Sequence, residues 1–204
     1  MKCPQVDKVT RLPLLKEALE NAIVVKMGKY EYFVNPTQGV APPLKPELLK
    51  EIAQRIVELA DFNVDRIVTI EAMGIHVSAL VSTMTNVPII IARKKKFNLP
   101  GEIEVVVKRS YRKIAGKEKG EKFYINSVNK GDRVIIIDDV MSTGGTVSGV
   151  IQGLKKVGVI VKDVIIVMNR GNGPERVKKE TGLTVKTLAD VEIKNGKVHI
   201  IRID

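Results

Sequence analysis

Two kinds of hydrophobic pattern alternate along the chain. Short runs rich in β-branched residues predict strands that are apolar on both faces, and these cover residues 66–70, 87–92, 134–137 and 164–168. Apolar residues that recur every three or four positions predict amphipathic helices around residues 46–60, 75–84, 147–157 and 174–181. Because such strands alternating with helices form a parallel sheet with helices on both faces, we expect an α/β fold.

Further segments lie outside this alternation. Residues 12–23 predict a short amphipathic helix that begins at Pro13 and packs on the body as a flap. Residues 30–34 are expected to be extended, and residues 35–46, with four prolines, predict a loop. Two antiparallel hairpins are expected as additions to the core. They pair residues 103–108 with 122–126, and residues 191–194 with 197–203 through the turn-forming Asn195-Gly196.

The composition excludes several classes of protein. Cys3 is the one cysteine among 204 residues, so a disulfide framework and a cysteine-based zinc cluster are ruled out. No apolar run reaches the ~18 residues that span a bilayer, and no signal-peptide core follows Met1, so we expect a cytoplasmic protein. The 34 Lys and Arg against 23 Asp and Glu give a net charge of +11. This charge indicates an anionic partner: a nucleic acid, a membrane surface or a phosphorylated small molecule.

Residues 134–146 carry the most informative pattern, with four aliphatic residues, two carboxylates and a turn rich in glycine and hydroxyl groups. The strand would lead to the carboxyl edge of the sheet, where open α/β folds bind ligands. The turn from Ser142 to Thr146 offers main-chain N–H groups and a helix N-terminus to a phosphate. Asp138 and Asp139 could accept hydrogen bonds from vicinal sugar hydroxyls or hold water around Mg²⁺. A phosphate beside a diol describes a ribose 5-phosphate.

Two other interpretations of this segment are weaker. The aspartates could merely cap the following helix, but a cap needs one aspartate rather than a pair after four aliphatic residues. A nucleotide-binding P-loop needs Lys after Gly145, where this chain has Thr146, so an ATPase is disfavoured.

Residues 134–146 resemble the phosphoribosyl pyrophosphate (PRPP) signature of the type I phosphoribosyltransferases. Arg93-Lys94 followed by the segment 99–102 (Leu-Pro-Gly-Glu) is similar to an element of the adenine phosphoribosyltransferases and of the archaeal purine enzymes related to them. Residues 71–74 (Glu-Ala-Met-Gly) sit where that family keeps its pyrophosphate loop. The resemblance covers about residues 30–170 and implies an N-terminal hood over a PRPP-binding core.

The resemblance also implies roles for individual residues. Contacts to ribose and 5-phosphate would come from Asp138, Asp139, Val140, Met141, Ser142, Thr143, Gly144, Gly145 and Thr146. Contacts to pyrophosphate would come from Glu71, Ala72, Met73, Gly74, Arg93 and Lys94. Phe33 and Val34 would wall the purine, and Mg²⁺ would be held indirectly through the two aspartates. Ser110 and Tyr111, in the charged segment 109–121, are candidates for a catalytic lid.

The implied reaction is purine salvage, in which a free purine and PRPP give a nucleoside monophosphate and pyrophosphate, with no protein nucleophile. Adenine, which gives AMP, is the favoured base because hypoxanthine-guanine enzymes place an Asp at the position of Ser142. Hypoxanthine or guanine is the alternative. A homodimer is implied. We expect one domain, with a hood at residues 1–45, a core at 46–190 and a C-terminal hairpin at 191–204.

A protein of another class stays open: a regulator that keeps the PRPP fold and binds DNA through its basic surface. Such proteins carry a helix-turn-helix. The ~30 residues before Tyr30 have room for one helix rather than the two or more required. Nucleic acid is therefore an unexpected partner, and no membrane contact is expected.

Overall fold

The computed structural model describes residues 10–28, 30–107, 113–114, 117–118 and 120–204. The helices are α1 (Pro13–Glu20), α2 (Pro46–Leu59), α3 (Ile75–Thr85), α4 (Gly145–Lys156) and α5 (Gly173–Thr181), with a short 3₁₀ helix at Pro36–Gln38. The strands are β1 (Val24–Met27), β2 (Tyr30–Phe33), β3 (Arg66–Ile70), β4 (Ile89–Ala92), β5 (Ile103–Val107), β6 (Lys113–Ile114), β7 (Lys117–Glu118), β8 (Glu121–Ile125), β9 (Arg133–Met141), β10 (Ile160–Asn169), β11 (Lys186–Lys194) and β12 (Lys197–Ile203).

A six-stranded sheet in the order β12-β11-β10-β9-β3-β4 forms the centre of the molecule. Its strands are parallel except β12, which runs antiparallel to β11. Helices connect successive parallel strands, α3 between β3 and β4, and α4 between β9 and β10. This arrangement confirms the α/β fold that the alternation of patterns predicts.

Alternate residues of β9 supply the cores on the two faces of the sheet. Val134 and Ile136 pack in the cluster that contains the apolar face of α4 and the hairpin of β5 and β8. Ile135 and Ile137 pack in the cluster formed with α1, α2 and α3. Because both faces are covered, the strand is apolar on both sides, as its sequence requires.

Among the differences from the expectation, three change the arrangement of the strands. β1 pairs antiparallel with β2 in a hairpin that the sequence pattern did not indicate. β9 continues to Met141, four residues beyond the predicted end, so the carboxylates lie inside a strand. β11 begins at Lys186 and pairs with β10 before it turns into the terminal hairpin, so this hairpin is part of the central sheet rather than an addition.

Several boundaries follow the sequence closely. α1 begins at Pro13 and α2 at Pro46, because proline fits the first turn of a helix, where no N–H partner is needed. Asn195 and Gly196 both have positive φ, the geometry of the predicted two-residue turn between β11 and β12. None of the helices in the described part of the chain has the length and apolar character to cross a membrane.

Candidate functional site

Two adjacent carboxylates lie at the carboxyl end of the central sheet. Asp138 and Asp139 belong to β9 and are 9% and 7% exposed. Successive side chains of a strand point to opposite faces, so the pair reaches different neighbours. The pairing of Asp138 with Ile166 and of Val140 with Met168 in β10 fixes their backbone. The sequence pattern placed the pair between the strand and the turn, and the structure places it within the strand.

Burial raises the pKa of both carboxyl groups. The pKa of Asp138 is raised well above its usual value of 3.8, first by burial and then by the negative charge of Asp139. The pKa of Asp139 is raised by burial, against hydrogen bonds that favour its charged form. Partners that donate hydrogen bonds or carry positive charge would therefore stabilise the charged form of this buried pair.

A glycine brings the loop after β3 against the first carboxylate. A Cβ atom on Gly74 would overlap Asp138 Oδ1 and would lie 2.7 Å from Thr69 Oγ1. No other residue type leaves room for this approach. The loop of residues 71–74 therefore lies directly beside the carboxylates. Their predicted contacts, with pyrophosphate and with ribose, require such a position because these two groups are joined in PRPP.

The second carboxylate is tied to the N-terminal part of the chain by a buried hydrogen-bond network. Asn35 Nδ2 donates to Asp139 Oδ2 at 2.7 Å. Asn35 Oδ1 accepts from the main-chain N and the hydroxyl of Thr37, at 2.9 and 2.8 Å. Both residues are buried, so the bonds are shielded from water. This network sets the segment that follows β2 at a fixed place beside Asp139.

The turn from Ser142 to Thr146 leads from β9 into α4, as the sequence predicts. Gly144 has φ of +71° and stands just before the first turn of the helix, and a Cβ there would lie 2.6 Å from Gly173 O. Arg176 of α5 reaches this turn, with its Nη1 3.5 Å from Thr143 O. The pattern had given no sign of this arginine, because it belongs to a distant helix.

The loop of residues 71–74 is also held against the end of β4. The main-chain N of Glu71 donates to Ala92 O at 3.0 Å, and Glu71 Oε2 accepts from the main-chain N of Lys94 at 2.7 Å. The Glu71–Ala72 peptide bond is cis. These contacts bring together two of the segments to which the resemblance gives pyrophosphate contacts.

The side chains of the basic pair lie elsewhere. Arg93 donates to Asn126 Oδ1 at 3.1 Å and stacks its guanidinium 4.5 Å from the centroid of the Phe97 ring. The ammonium of Lys94 lies 3.2 Å from Glu121 Oε1. Neither side chain lines the cavity at the carboxylates. A role in pyrophosphate binding therefore stays a prediction, and it would require these side chains to exchange their present partners.

A cavity of about 240 Å³ joins these parts. Its walls come from β2 and the segment after it, the end of β3 and the loop after it, the end of β9 and the loop after β10. The lining residues are Tyr32, Phe33, Asn35, Gln38, Ile70, Glu71, Ala72, Met73, Asp138, Asp139, Val140 and Arg170. The cavity places the predicted base side next to the predicted sugar side.

The two residues predicted to wall the purine line different surfaces. Phe33 lines the cavity, whereas Val34 lines a separate apolar groove against α1, because neighbouring residues of an extended segment point in opposite directions. The side chain of Val34 does not line the cavity, so a contact of this residue with the purine stays a prediction. The lid candidates Ser110 and Tyr111 lie outside the described residues.

The cavity contains four residues to which the sequence pattern gave no role: Tyr32, Asn35, Gln38 and Ile70. Tyr32 and Gln38 hydrogen-bond to each other, with Gln38 Nε2 2.8 Å from the tyrosine hydroxyl. Arg170 also lines the cavity, and its position after a strand at the ligand-binding edge of the sheet is the sequence signal that indicates a ligand contact. No local pattern marks Asn35 and Gln38, which lie in the segment predicted as a loop, or Tyr32 and Ile70, which belong to segments predicted as extended.

The described residues contain no group of three or more His, Cys, Asp or Glu side chains placed to hold a metal. The two buried carboxylates with raised pKa suit a cation that takes one or two protein oxygens and completes its shell with water and substrate oxygens. Mg²⁺ binds in this way beside phosphates. The residues present therefore fit a metal that arrives with its substrate, in line with the indirect role predicted for Asp138 and Asp139.

Comparison with known proteins identifies the family. A model described as the phosphoribosyl transferase domain matches residues 44–200. The chain belongs to the phosphoribosyltransferase family. The hypoxanthine/guanine phosphoribosyltransferase of Methanothermococcus okinawensis is 45% identical over 188 residues, 92% of this chain and 99% of that protein. The protein of the same name from Methanocella paludicola is 46% identical over 187 residues, 92% of this chain and 94% of that protein.

Solved structures of the family share the fold. The adenine phosphoribosyltransferase of Thermoanaerobacter pseudethanolicus aligns with a TM-score of 0.70 at 18% identity, over 88% of this chain and 99% of that one. The Trypanosoma brucei adenine enzyme, in complex with AMP, pyrophosphate and ribose-5-phosphate, aligns with a TM-score of 0.68 over 87% and 79%. The family and its curated relatives confirm the prediction of a purine phosphoribosyltransferase enzyme, and the structures confirm the fold.

Proposed function

We propose that this phosphoribosyltransferase transfers the phosphoribosyl group of PRPP to hypoxanthine or guanine. The observation that carries the choice of base is the 45% identity, over 92% of the chain, to a hypoxanthine/guanine phosphoribosyltransferase. Adenine, which the sequence pattern favoured, is supported only by structural neighbours between 17% and 21% identical, and these bear on the fold alone. The relatives thus favour the alternative that the sequence left open.

The reaction makes one bond and breaks one at the anomeric carbon of PRPP. The purine N9 bonds to that carbon, and the bond from the carbon to the pyrophosphate oxygen breaks with its electron pair on the oxygen. The proton of N9 passes to water. Because the leaving group can depart ahead of the attack, the enzyme needs no nucleophile and contributes by orientation, exclusion of water and stabilisation of charge.

The carboxylates are proposed to hold the ribose. Asp138 and Asp139 would accept hydrogen bonds from the vicinal hydroxyls of the sugar. These bonds would compensate the carboxylates for the contacts with water that burial removes. The backbone of β9 and the amide of Asn35 keep the second carboxylate in one orientation. A preorganised pair of this kind spends little energy on reorganisation when the sugar acquires positive charge.

The turn from Ser142 to Thr146 is proposed to hold the 5-phosphate. Its main-chain N–H groups and the N-terminus of α4 favour a dianion. The positive φ of Gly144 shapes the turn, and the Arg176 guanidinium near Thr143 O adds positive charge beside it. Phosphate and ribose would therefore be held by one continuous segment of chain.

Pyrophosphate departure is assigned to the loop of residues 71–74, with Arg93 and Lys94 nearby. Bound Mg²⁺, held through Asp138 and Asp139 with water and PRPP oxygens, would neutralise the charge of the leaving group. The loop lies against Asp138 through Gly74, so the leaving group would depart beside the carboxylates. The charged segment that contains Ser110 and Tyr111 is the proposed lid.

Steady-state turnover with hypoxanthine, guanine and adenine at matched PRPP and Mg²⁺ tests the proposed function. We expect release of pyrophosphate with hypoxanthine or guanine, at a kcat/KM at least about tenfold above that with adenine. Turnover of adenine alone would return the assignment to the base that the sequence pattern favoured. Salt-sensitive binding of duplex DNA without turnover of any base would favour the regulator instead.

We also propose that the enzyme works as a homodimer, as the family resemblance implies. Light scattering after gel filtration should give a mass close to twice the 22.5 kDa of one chain. A mass of one chain at the concentrations used for activity would refute this proposal without affecting the assignment of the reaction.

A further inference from the structure

One face of α5 packs against the turn of residues 142–146. Arg176 and Val177 follow Gly173 by three and four positions, so the three residues share this face of the helix. A Cβ atom on Gly144 would lie 2.6 Å from Gly173 O and 3.1 Å from Val177 Cγ2. The turn that is proposed to hold the 5-phosphate therefore rests on α5 as well as on α4.

Arg176 is held in this face by a carboxylate one turn further along the helix. Its Nε donates to Glu180 Oε1 at 2.7 Å, and the two side chains are 29% and 32% exposed. The guanidinium lies against the backbone of Gly145, because a Cβ atom there would be 3.1 Å from Nη1 and 3.4 Å from Cζ. Nη1 donates to Thr143 O at 3.5 Å. These three contacts give the planar guanidinium a defined orientation relative to the turn.

The contact with Thr143 O bears on the amide of the next residue. The C=O of Thr143 and the N–H of Gly144 belong to one planar trans peptide and point in opposite directions. Because Arg176 donates to that oxygen, the N–H points away from the arginine, to the opposite side of the turn. A hydrogen bond to the carbonyl also polarises the peptide and strengthens its N–H as a donor. Arg176 is thus placed to act on a phosphate through the main chain.

We propose that Arg176, anchored by Glu180, is a positioning residue for the 5-phosphate of PRPP. It holds the Thr143–Gly144 peptide with its N–H directed at the phosphate, so the donor is in place before the substrate arrives. The inference rests on the proposed function, because it concerns the 5-phosphate site of that reaction. It differs from a purely electrostatic role of the arginine, in which the negative charge of Glu180 would oppose phosphate binding.

Glu180→Ala separates these two roles. The variant removes a partly exposed carboxylate from a helix, where alanine is well tolerated, and takes away the partner of Arg176 Nε. If the arginine only adds charge, loss of the neighbouring anion should strengthen phosphate binding. We expect the reverse. The Kd for ribose 5-phosphate, measured by calorimetry, should rise about three- to tenfold, because the guanidinium loses its anchor.

Substitutions of the arginine itself complete the test. Arg176→Gln should raise this Kd and the KM for PRPP about tenfold, with kcat changed by no more than about twofold. Arg176→Lys keeps the charge but lacks the planar fork, so its loss of affinity should be close to that of Arg176→Gln. The double variant Arg176→Gln/Glu180→Ala should lose no more than Arg176→Gln alone, since both side chains act through one contact.

Pyrophosphate supplies an internal control, because it is proposed to bind at the loop of residues 71–74. Its Kd in the presence of Mg²⁺ should change by no more than about twofold in each variant. Two further variants match the substitutions elsewhere in the chain. Arg133→Gln removes an arginine whose Nε lies 3.4 Å from Asp65 Oδ2 at the other end of β9. Glu20→Ala removes the i,i+4 partner of Lys16 in α1. Both should bind ribose 5-phosphate like the unaltered protein.

Unchanged or tighter binding of ribose 5-phosphate by Glu180→Ala would overturn the positioning role, as would full affinity in Arg176→Lys. An equal loss of affinity for ribose 5-phosphate and for pyrophosphate would also overturn it, because such a loss indicates general damage to the fold. Failure of the proposed function would appear instead in the unaltered protein, as release of pyrophosphate with adenine alone or with no base.

Discussion

The proposed sugar side and the proposed base side of the cavity are built in different ways. The sugar side comes from one continuous segment, residues 138–146, which runs from β9 through the turn into α4. The base side combines the segment from Tyr32 to Gln38, the loop at Met73 and Arg170 after β10. Changes on the base side can therefore alter the choice of purine while the sugar side stays the same.

The largest effect is expected from Asp139→Asn on the sugar side. The substitution removes the negative charge of the carboxylate that is proposed to accept hydrogen bonds from the ribose, and it leaves the size of the side chain unchanged. We expect the kcat/KM for PRPP to fall about 100-fold or more with every base, because a hydrogen bond to a charged group contributes about 1.5 to 3 kcal/mol. Steady-state kinetics measures this loss. Asp61→Asn, an exposed site whose carboxylate accepts from Asn63 N, should be neutral.

A glycine pair tests the phosphate turn. Gly144→Ala combines positive φ with a Cβ 2.6 Å from Gly173 O, so the turn must shift. We expect the KM for PRPP to rise about 100-fold, as displacements of this size do in binding sites. Gly182→Ala is matched, since Gly182 has φ of +78° and open space around it. That variant should lose about 1 kcal/mol of unfolding free energy and keep its activity. Equal activity in both variants would show that the turn does not bind the phosphate.

Asn35→Ala tests the link between the two sides. It removes the amide that holds Asp139 and leaves a buried carboxylate oxygen and Thr37 without that partner. We expect about a tenfold loss in kcat/KM for PRPP and a fall of about 1 to 3 kcal/mol in unfolding free energy. Asn21→Ala, which removes an exposed hydrogen bond at the end of α1, should change neither by a comparable amount.

The smallest effect concerns stability. Since burial raises the pKa of Asp138 in the folded protein, the contribution of this group to the unfolding free energy is highest below pH 3.8 and is lost as pH rises through the folded pKa. Asp138→Asn removes this pH-dependent loss of unfolding free energy, because the amide does not ionise. At neutral pH we expect the ligand-free variant to gain about 1 kcal/mol, or about 2 to 4 °C in Tm, with impaired turnover. A Tm difference that does not grow with pH would contradict this account.

The same contrast explains what could be predicted from the sequence. The continuous apolar runs and the helical spacing gave the α/β fold, and the segment 134–146 gave the sugar side, because both depend on neighbours in sequence. β1 and the first half of β11 were not predicted, because their strand character depends on pairing with distant partners.

The base side could be predicted only in part, because three distant segments form it. Phe33 was identified through its resemblance to the family, but Val34 points into another groove, and extended segments alternate sides in a way that no motif reveals. The network from Asn35 to Asp139 joins residues more than a hundred positions apart. Such a contact becomes visible only once the chain has folded.

The most direct test of the central claim places hypoxanthine and adenine together, at equal concentration, in one reaction with limiting PRPP and Mg²⁺. Chromatography of the nucleotides then reports the ratio of the two kcat/KM values free of differences between preparations. If the base side selects 6-oxopurines, inosine monophosphate should exceed AMP by about tenfold or more. AMP as the main product would contradict the account.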